Sequence, residues 1–335
     1  MKKKLFVLCT ALVWAVTLMA QEISVVDTNG NTQLFTMLAD AINEAPNGST
    51  IYIPGGRFAI ADSVKITKKL TIIGIGHYIN NEGNEDGRTI IEGNLWFNGG
   101  SSGSAVLACY ITGNVNIGDG DASVNDVVIR YCNLNSVQVK NSTCSGTIVN
   151  QNYVRGDSSF GMSEVTITNN IICRISDIDS GVIKYNVNCC ANYYNYGYGN
   201  SNSHPTLINV NNSFIAYNIF RHAKGNIGGG SGNSTNGNFL EVGSWGSSWG
   251  DDPIIIDASI SDIFENVNDW SVTPVSNFHF KKDYKDYESQ VGIYAGTGFN
   301  DKQLAPVPYI VAKQVDSETD ASGKLNIKIR VKASE

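Results

Sequence analysis

The chain has 335 residues and a mass of 36.2 kDa, which suits one large domain or two average ones. Charged residues make up only 16% of it and apolar residues 42%, which excludes a disordered chain, a coiled coil and a Lys/Glu-rich helical bundle. It contains 38 Asn and 34 Gly, the residues that adopt left-handed backbone angles most readily. The composition therefore favours strands joined by many tight turns.

The charge balance is acidic. The formal net charge is −7, and it becomes −10 when Lys2, Lys3 and Lys4 are set aside as part of a removed leader. No further run of three Lys or Arg follows these residues. A free acidic protein has no general attraction for nucleic acid or anionic membranes, so the sequence predicts no nucleic-acid partner.

Residues 1–20 have the pattern of a signal peptide. Three lysines are followed by an apolar stretch from Leu5 to Met19, and Ala20 is a small residue before Gln21. An uncleaved anchor is the alternative, but the apolar stretch is short for a span of about 20 residues. We expect a cleaved, secreted, periplasmic or cell-surface protein with no membrane span in its mature chain.

A short amphipathic helix is predicted near residues 34–45. Its apolar side chains fall on one helical face. They are Leu34, Leu38, Ala41, Ile42 and Ala45.

The middle of the chain repeats a short motif: an apolar residue, two variable residues, Asn and another apolar residue. The Asn positions are Asn152, Asn170, Asn186 and Asn218, at intervals of 18, 16 and 32 residues. A period near 16–20 residues with one short strand per period is typical of a solenoid, whose coils must stack to bury their apolar sides.

The repeated Asn has two physical uses in such a stack. It tolerates the left-handed backbone angle of a sharp turn between two strands. Its side-chain amide can also bond to the Asn in the coils above and below, as in cross-β stacks. The sequence therefore predicts an asparagine ladder.

Six cysteines follow the predicted leader: Cys109, Cys132, Cys144, Cys173, Cys189 and Cys190. Export permits disulfides, although Cys is also commonly buried as a small apolar thiol. Cys173 and Cys189 each lie three residues after a ladder Asn, so stacking places them on adjacent coils about 4.8 Å apart. That pair can form a disulfide or stack as thiols.

The stretch before the repeats resembles the opening of a known family. Residues 41–56, which read AINEAPNGSTIYIPGG, are followed by LTIIGIG at residues 70–76. This is similar to right-handed parallel β-helix proteins of the pectate-lyase-like superfamily, in which a short helix caps the open end. The resemblance implies an all-β, right-handed parallel β-helix over residues 21–300. One scaffold carries many activities, so the resemblance does not decide the function.

The end of the sequence is similar to a tail found on secreted bacterial β-helix proteins. We expect residues 291–296 to close the stack, and residues 301–335 to form a small C-terminal β extension. Leu325 to Val331 alternate apolar and polar residues after a turn at Asp320–Gly323, which predicts a strand. The extension either covers the open end of the helix or offers an edge to another module or chain.

Candidate catalytic residues follow the last motif. Pectate lyases of this fold use Ca²⁺ and an Arg or Lys base, but the paired motifs are absent, as is the Gly-His-Gly of polygalacturonases. Arg221, His222 and Lys224 together offer a base and a cation for lyase chemistry. A solvated basic corner on an acidic protein is the alternative, and the sequence favours it.

Ca²⁺ is the only cofactor with a candidate sequence. Asp119 and Asp121 in a Gly-Asp-Gly-Asp stretch resemble a fragment of a calcium loop, but no acidic ligand follows at the twelfth position. A polar turn is the alternative, and the sequence predicts no metal site.

Two insertions, at residues 189–205 and 225–252, interrupt the coil rhythm and carry aromatic residues among Asn, Gly and Asp. Aromatic faces beside amides and carboxylates suit a sugar ring, although the same rings can pack down to hold the loops. The candidate carbohydrate-binding residues are Tyr194, Tyr196, Trp245, Trp249, Asp251 and Asp252.

The sequence thus predicts a secreted β-helix protein that binds an extended carbohydrate, a polysaccharide or cell-surface glycan, along a lateral groove. One alternative is a polysaccharide lyase or glycoside hydrolase acting on an acidic polysaccharide. Another is a structural or adhesin-like surface module.

Overall fold

A computed structural model describes residues 22–77, 88–188, 207–220, 230–240, 254–255, 258, 260–267, 277–299, 309–315, 323–324 and 327–332. The predicted leader at residues 1–20 lies outside this part of the chain. The described part is a parallel β-helix, as the repeat predicts, and its three long sheets are named A, B and C below.

The strands of each sheet are given in their spatial order. Sheet A has 11 strands: Thr32–Phe35, Ile23–Val26, Thr50–Tyr52, Thr71–Ile73, Ala105–Leu107, Val128–Arg130, Ile148–Asn150, Thr166–Thr168, Val182–Lys184, Phe214–Ala216 and Ser234–Asn236. Sheet B has 10 strands: Gly56–Ala59, Thr89–Glu92, Tyr110–Ile111, Asn133–Leu134, Tyr153–Val154, Ile171–Ile172, Val187–Asn188, Ile219–Phe220, Phe239–Leu240 and Ile254–Ile255. Sheet C has six strands: Leu95–Phe97, Val115–Ile117, Val137–Val139, Ser158–Ser163, Ile175–Asp179 and Leu207–Asn211.

Each complete coil passes through sheets A, B and C in that order and then returns to sheet A one strand further along. The middle residue of every short sheet A strand faces the interior, where a column of β-branched side chains forms much of the core. That column contains Ile72, Val106, Ile129, Val149, Ile167, Ile183 and Ile215, all fully buried and paired in register. Stacking therefore buries what a single coil would leave exposed.

A helix from Leu38 to Glu44 lies at the N-terminal end, where Leu38, Ala41 and Ile42 are buried in the main core. The prediction that the helix extends back to Leu34 is wrong. Leu34 belongs to the strand Thr32–Phe35 and is 58% exposed. The cause is a turn in which the Asp27 carboxylate accepts bonds from the backbone N–H groups of Asn29 and Asn31, which pairs this strand with Ile23–Val26.

The asparagine ladder is confirmed. From Asn152 to Asn218, each ladder Asn donates its backbone N–H and its side-chain Nδ2 to the Oδ1 of the Asn in the next coil, at 2.8–3.0 Å. The ladder continues to Asn238, which the motif did not include. At the other end, the backbone N–H of Cys132 donates to Asn152 Oδ1 at 2.9 Å.

The left-handed backbone angle belongs to the residue before the ladder Asn and not to the Asn itself. The prediction that the Asn is used because it tolerates this angle is therefore wrong. The left-handed residues form a column of their own: Ala108, Tyr131, Gln151, Asn169, Tyr185, Tyr217 and Gly237, with φ of 54–57°. The ladder Asn is selected for its amide, because Nδ2 also bonds a backbone carbonyl such as Val149 O at 2.9 Å.

We predict that Asn170→Ala destabilises the fold. The substitution removes the acceptor for the N–H and the amide of Asn152, and each buried group left unpaired costs about 1–3 kcal/mol. Urea unfolding should show a lower free energy of unfolding for this variant. The matched control is Asn29→Ala, at an exposed turn, and an effect of equal size there would argue against a special role for the ladder.

The outer face of sheet B carries an apolar stripe, because the apolar residue after each ladder Asn points outward. The stripe consists of Tyr153, Ile171, Val187, Ile219 and Phe239, all buried. The described residues of 260–267 and 277–299, together named the strap here, cover it. The described parts of the strap are the helix Ile260–Ile263, the antiparallel strands Phe264–Asn266 and Asn277–Phe280, and a 3-10 helix Lys282–Tyr287.

The prediction that residues 291–296 close the stack is wrong. This part of the strap lies along the side of the helix, where the backbone N–H of Gly292 donates to Tyr217 O at 2.8 Å. Asn169 Nδ2 donates to Ile293 O and Ala295 O at 2.9 and 2.8 Å, and Thr297 Oγ1 donates to Asn169 Oδ1. The strap removes the apolar stripe from solvent. The repeat in the sequence does not reveal that this outward-facing stripe needs a cover.

We predict that Phe280→Ala loosens the strap and exposes the stripe. Phe280 is fully buried and packs against Phe239 of the stripe and Phe264 of the strap, with ring centroids 5.8 and 4.8 Å apart. A Phe→Ala change in a core typically costs about 3–5 kcal/mol. The variant should bind more of a hydrophobic dye than the wild type, and Lys282→Ala on the exposed side of the strap should not. Equal dye binding by both variants would contradict this role of the strap.

A small antiparallel hairpin of Tyr309–Val315 and Ile327–Lys332 forms the predicted C-terminal extension. Of the predicted strand Leu325 to Val331, residues 327–331 are confirmed, and Leu325 and Asn326 lie outside the described residues. No helix among the described residues is both long and apolar enough to span a membrane.

Candidate functional site at the junction of sheets B and C

All the predicted site residues lie outside the described residues. These are Arg221, His222, Lys224, Tyr194, Tyr196, Trp245, Trp249, Asp251 and Asp252. The structure does, however, describe the residue directly before each segment that carries them, and these residues, Asn188, Phe220 and Leu240, are called the departure points here. The site is therefore built from these departure points and from the described side chains beside them.

Three segments that lie outside the described residues begin at the C-terminal ends of adjacent sheet B strands. Residues 189–206, 221–229 and 241–253 directly follow Asn188, Phe220 and Leu240, the last residues of three adjacent strands. These strands are parallel, and Asn188 pairs with Phe220 as Phe220 pairs with Leu240. The departure points are thus about one strand spacing of 4.8 Å apart. Together they carry every predicted site residue.

The coil that precedes these departure points along the chain has a short corner between sheets B and C. Residues Cys173 and Arg174 connect Ile171–Ile172 in sheet B with Ile175–Asp179 in sheet C. Arg174 Nη1 pairs with Asp157 Oδ2 at 2.9 Å in the neighbouring coil. A regular corner therefore needs only two residues, so residues 189–206, between Asn188 of sheet B and Leu207 of sheet C, are an insertion, as predicted. The predicted insertion at residues 225–252 is wrong in part, because Ser234–Asn236 and Phe239–Leu240 are regular strands of sheets A and B.

Both predicted cysteine states, a disulfide and a buried free thiol, are present. Cys173 is disulfide-bonded, and its partner lies outside the described residues. Cys109, Cys132 and Cys144 are buried free thiols. Burial raises the pKa of Cys132 to about 12, so its thiol stays protonated and unreactive. The disulfide therefore lies at the junction of sheets B and C, beside the departure points, while the free thiols are structural.

A bulged region of sheet C provides polar groups beside the junction. Its register shifts between Ser159 and Met162, and Gly161, Asp177 and Asn209 have positive φ on three adjacent strands. Asp177 accepts bonds from Asn209, Ser159 and Ser176 at 3.0, 2.8 and 2.7 Å. Hydroxyl and amide groups from three coils thus surround one carboxylate on the outside of the helix.

These bonds determine the charge of Asp177. Partial burial acts to raise its pKa, but the hydrogen bonds from Asn209, Ser176 and Ser159 outweigh burial and lower the pKa below the ordinary value. The carboxylate is ionised at neutral pH and acts as a fixed hydrogen-bond acceptor. A lowered pKa makes it a poor general acid.

The candidate calcium loop forms a turn. Asp119 Oδ1 accepts from the backbone N–H groups of Asp121 and Ala122 at 3.1 and 2.8 Å, and its Oδ2 accepts from Asn98 Nδ2 at 2.8 Å. Both oxygens therefore have protein donors, as expected for an Asx-turn. In the part of the chain that the structure describes, no group of three or more His, Cys, Asp and Glu side chains could hold a metal ion.

A cationic cluster that sequence reasoning missed lies on the outer face of sheet B, beyond Tyr153 in the N-terminal direction. The guanidinium carbons of Arg88 and Arg155 are 5.5 and 5.0 Å from the centroid of the Tyr110 ring. Arg155 also donates to Tyr110 Oη and to three backbone carbonyls, including Ile111 O at 2.9 Å. The cluster links three adjacent strands, and its only sequence signal was the position of Arg155 directly after a repeat strand.

His77 lies near this cluster and is fully buried. Burial lowers its pKa to about 3, and the positive charges of Arg88 and Arg155 act in the same direction. Neither ring nitrogen has a hydrogen-bond partner among the described residues. The neutral imidazole is therefore part of the folded structure.

We predict that His77 makes the fold sensitive to acid. The unfolded chain binds a proton at this residue below about pH 6.5 and the folded chain only near pH 3, so stability is complete above pH 6.5 and falls as the pH falls between these values. From pH 7.5 to pH 5 the loss should be about 2 kcal/mol, since one pKa unit corresponds to about 1.4 kcal/mol. Urea unfolding of His77→Leu should lack this part of the pH dependence. An unchanged dependence would show that His77 is not its source.

In comparisons with known proteins, no family model matches the chain, and no similar curated protein or solved structure is found. The resemblance to pectate-lyase-like proteins therefore remains a prediction beyond the β-helix architecture itself.

Proposed function

We propose that the protein is secreted and binds an extended carbohydrate across its lateral surface, at the junction of sheets B and C. The observation that carries the proposal is the common origin of the three segments at Asn188, Phe220 and Leu240, on adjacent strands of one sheet edge. Segments that start side by side are suited to form the walls of one cleft, and loops on a rigid scaffold commonly carry binding sites.

The residues of these segments have the chemistry that a sugar polymer requires. Tyr194, Tyr196, Trp245 and Trp249 offer rigid aromatic faces for sugar C–H groups, and Asp251 and Asp252 offer acceptors for hydroxyls. The neighbouring part of sheet C adds the hydroxyls of Ser159 and Ser176 and the exposed amide of Asn209. These groups come from three adjacent coils, so they suit an extended ligand that runs across several coils.

The covering of the outer face of sheet B also favours a binding site at the junction of sheets B and C. The strap occupies the outer face of sheet B over the five coils from Tyr153 to Phe239. A polymer that runs along those coils must therefore use another surface, and the bulged region of sheet C lies next to the departure points. Asp177 is held there by three hydrogen bonds, so that part of the surface is preorganised.

Trp245→Ala combined with Tyr196→Ala is expected to abolish retention in affinity gels that contain acidic and neutral plant or bacterial polysaccharides. The loss follows from removal of one stacking surface in each of two segments, at about 1–3 kcal/mol of binding per ring if sugar stacking resembles base stacking on aromatic rings. Tyr52→Ala is the matched control, because Tyr52 is an exposed aromatic residue at the N-terminal end. Thermal unfolding should confirm that both variants are folded.

Retention of the double variant equal to that of the wild type would contradict the proposal. The same gels, assayed for new reducing ends and unsaturated products, separate binding from catalysis. Loss of such products in His222→Ala would identify an active site at Arg221, His222 and Lys224. A wild-type protein that neither binds nor cleaves any polysaccharide would favour a structural or adhesin-like module.

A further inference from the structure

The N-terminal end of the helix has an exposed apolar patch. Three large apolar side chains are exposed among the described residues, and all three belong to this end: Leu34 at 58%, Met37 at 58% and Tyr52 at 43%. Leu34 and Tyr52 both pair with Ser24, on either side of it, so they lie in one row on the outer face of sheet A. Exposed apolar side chains grouped in this way commonly mark an interaction site.

The patch adjoins an unprotected strand edge. Thr32–Phe35 is the terminal strand of sheet A, and among the described residues it pairs only with Ile23–Val26. The strand has no charged residue and no Pro, and its pairing has no bulge. Edge strands usually carry one of these features to prevent pairing with other chains. This edge can therefore accept a further strand.

The N-terminal end carries a negative charge, which makes some partners more favourable than others. Residues 22–56 contain Glu22, Asp27, Asp40 and Glu44 and no Lys, Arg or His. Lys68, whose Nζ donates to Asn43 O and Ala45 O, adds one positive charge, so pairing of two N-terminal ends would still bring two net negative groups together, which is unfavourable. A partner strand with positive charges and an apolar side is favoured.

The strand Ile327–Lys332 has these properties. Residues 324–332 contain Lys324, Lys328, Arg330 and Lys332 and no acidic residue, and Lys324 and Lys328 are exposed. The apolar residues Ile327, Ile329 and Val331 alternate with the basic ones. Among the described residues this strand pairs only with Tyr309–Val315, so its second edge takes no other described strand.

We propose that Ile327–Lys332 of one molecule pairs with Thr32–Phe35 of a second copy, so that the C-terminal hairpin extends sheet A of the next molecule. The contact joins two different surfaces, and repetition of it produces a head-to-tail chain of molecules. Leu34, Met37 and Tyr52 would be covered by the incoming hairpin, and the acidic residues of this end would face its lysines and arginine.

Sedimentation velocity over a range of concentrations tests the proposal with full-length protein. The wild type should form species larger than a monomer as the concentration rises and should dissociate in high salt. Two variants should each remain monomeric: Leu34→Lys, which alters the edge, and Lys328→Glu combined with Arg330→Glu, which reverses the charge of the strand. Lys140→Glu, an exposed charge reversal directly after a strand of sheet C, should assemble like the wild type. Far-UV circular dichroism checks the fold of each variant.

A mixture of the two monomeric variants is the decisive sample. Each keeps one intact half of the contact, so the mixture should form a one-to-one dimer and nothing larger. A monomeric wild type at all concentrations, or assembly that survives in either variant, would overturn the proposal. Absence of the mixed dimer would do the same, since it would indicate a symmetric contact or a hairpin that docks within its own molecule.

Discussion

The buried column of Asn side chains is the interaction on which the rest of the structure depends. A buried amide without partners is costly, so each ladder Asn must stay aligned with the next. Asn170 and Asn186 are 16 residues apart, whereas Asn186 and Asn218 are 32 apart, yet both steps have the same backbone and side-chain bonds at 2.9–3.0 Å. The register of the coils is therefore independent of how many residues lie between them.

This independence permits an insertion within one ladder step: residues 189–206 lie between Asn188 of sheet B and Leu207 of sheet C. The ladder fixes the turn that precedes each sheet B strand, so additional residues are accommodated elsewhere in the coil. They lie between sheets B and C at residues 189–206, and between sheets C and A at residues 140–147, where another coil has only residues 180–181. The strap then covers the outer apolar stripe of sheet B, from Tyr153 to Phe239, and stabilises the scaffold that carries the insertions. Satisfied amides inside and a covered stripe outside are thus the two requirements that the repeat meets along this part of the helix.

The sequence was sufficient to predict the parallel coils and the first four Asn of the ladder, because its strict repeat reflects stacking. Asn238 was missed since Thr235 takes the place of the apolar residue that opens the motif. The strap and the position of Leu34 were also missed. Periodicity shows that the residue after each Asn is apolar, but not that it points outward and needs a cover, and the hairpin around Leu34 depends on a turn formed by Asp27. The candidate site residues belong to segments without a repeat, so the sequence could predict their chemistry but not their arrangement.

A double-mutant cycle of Asn170→Ala and Asn186→Ala, measured by urea unfolding, tests the central role of the ladder most directly. These two amides share bonds, so the double variant should lose less stability than the sum of the single variants, by about 0.5–3 kcal/mol. Asn152 and Asn238, at opposite ends of the five-residue ladder, should show additive effects within about 0.5 kcal/mol. Additive effects for Asn170 and Asn186 would show that each coil is held by its own contacts and would contradict a ladder that sets the register.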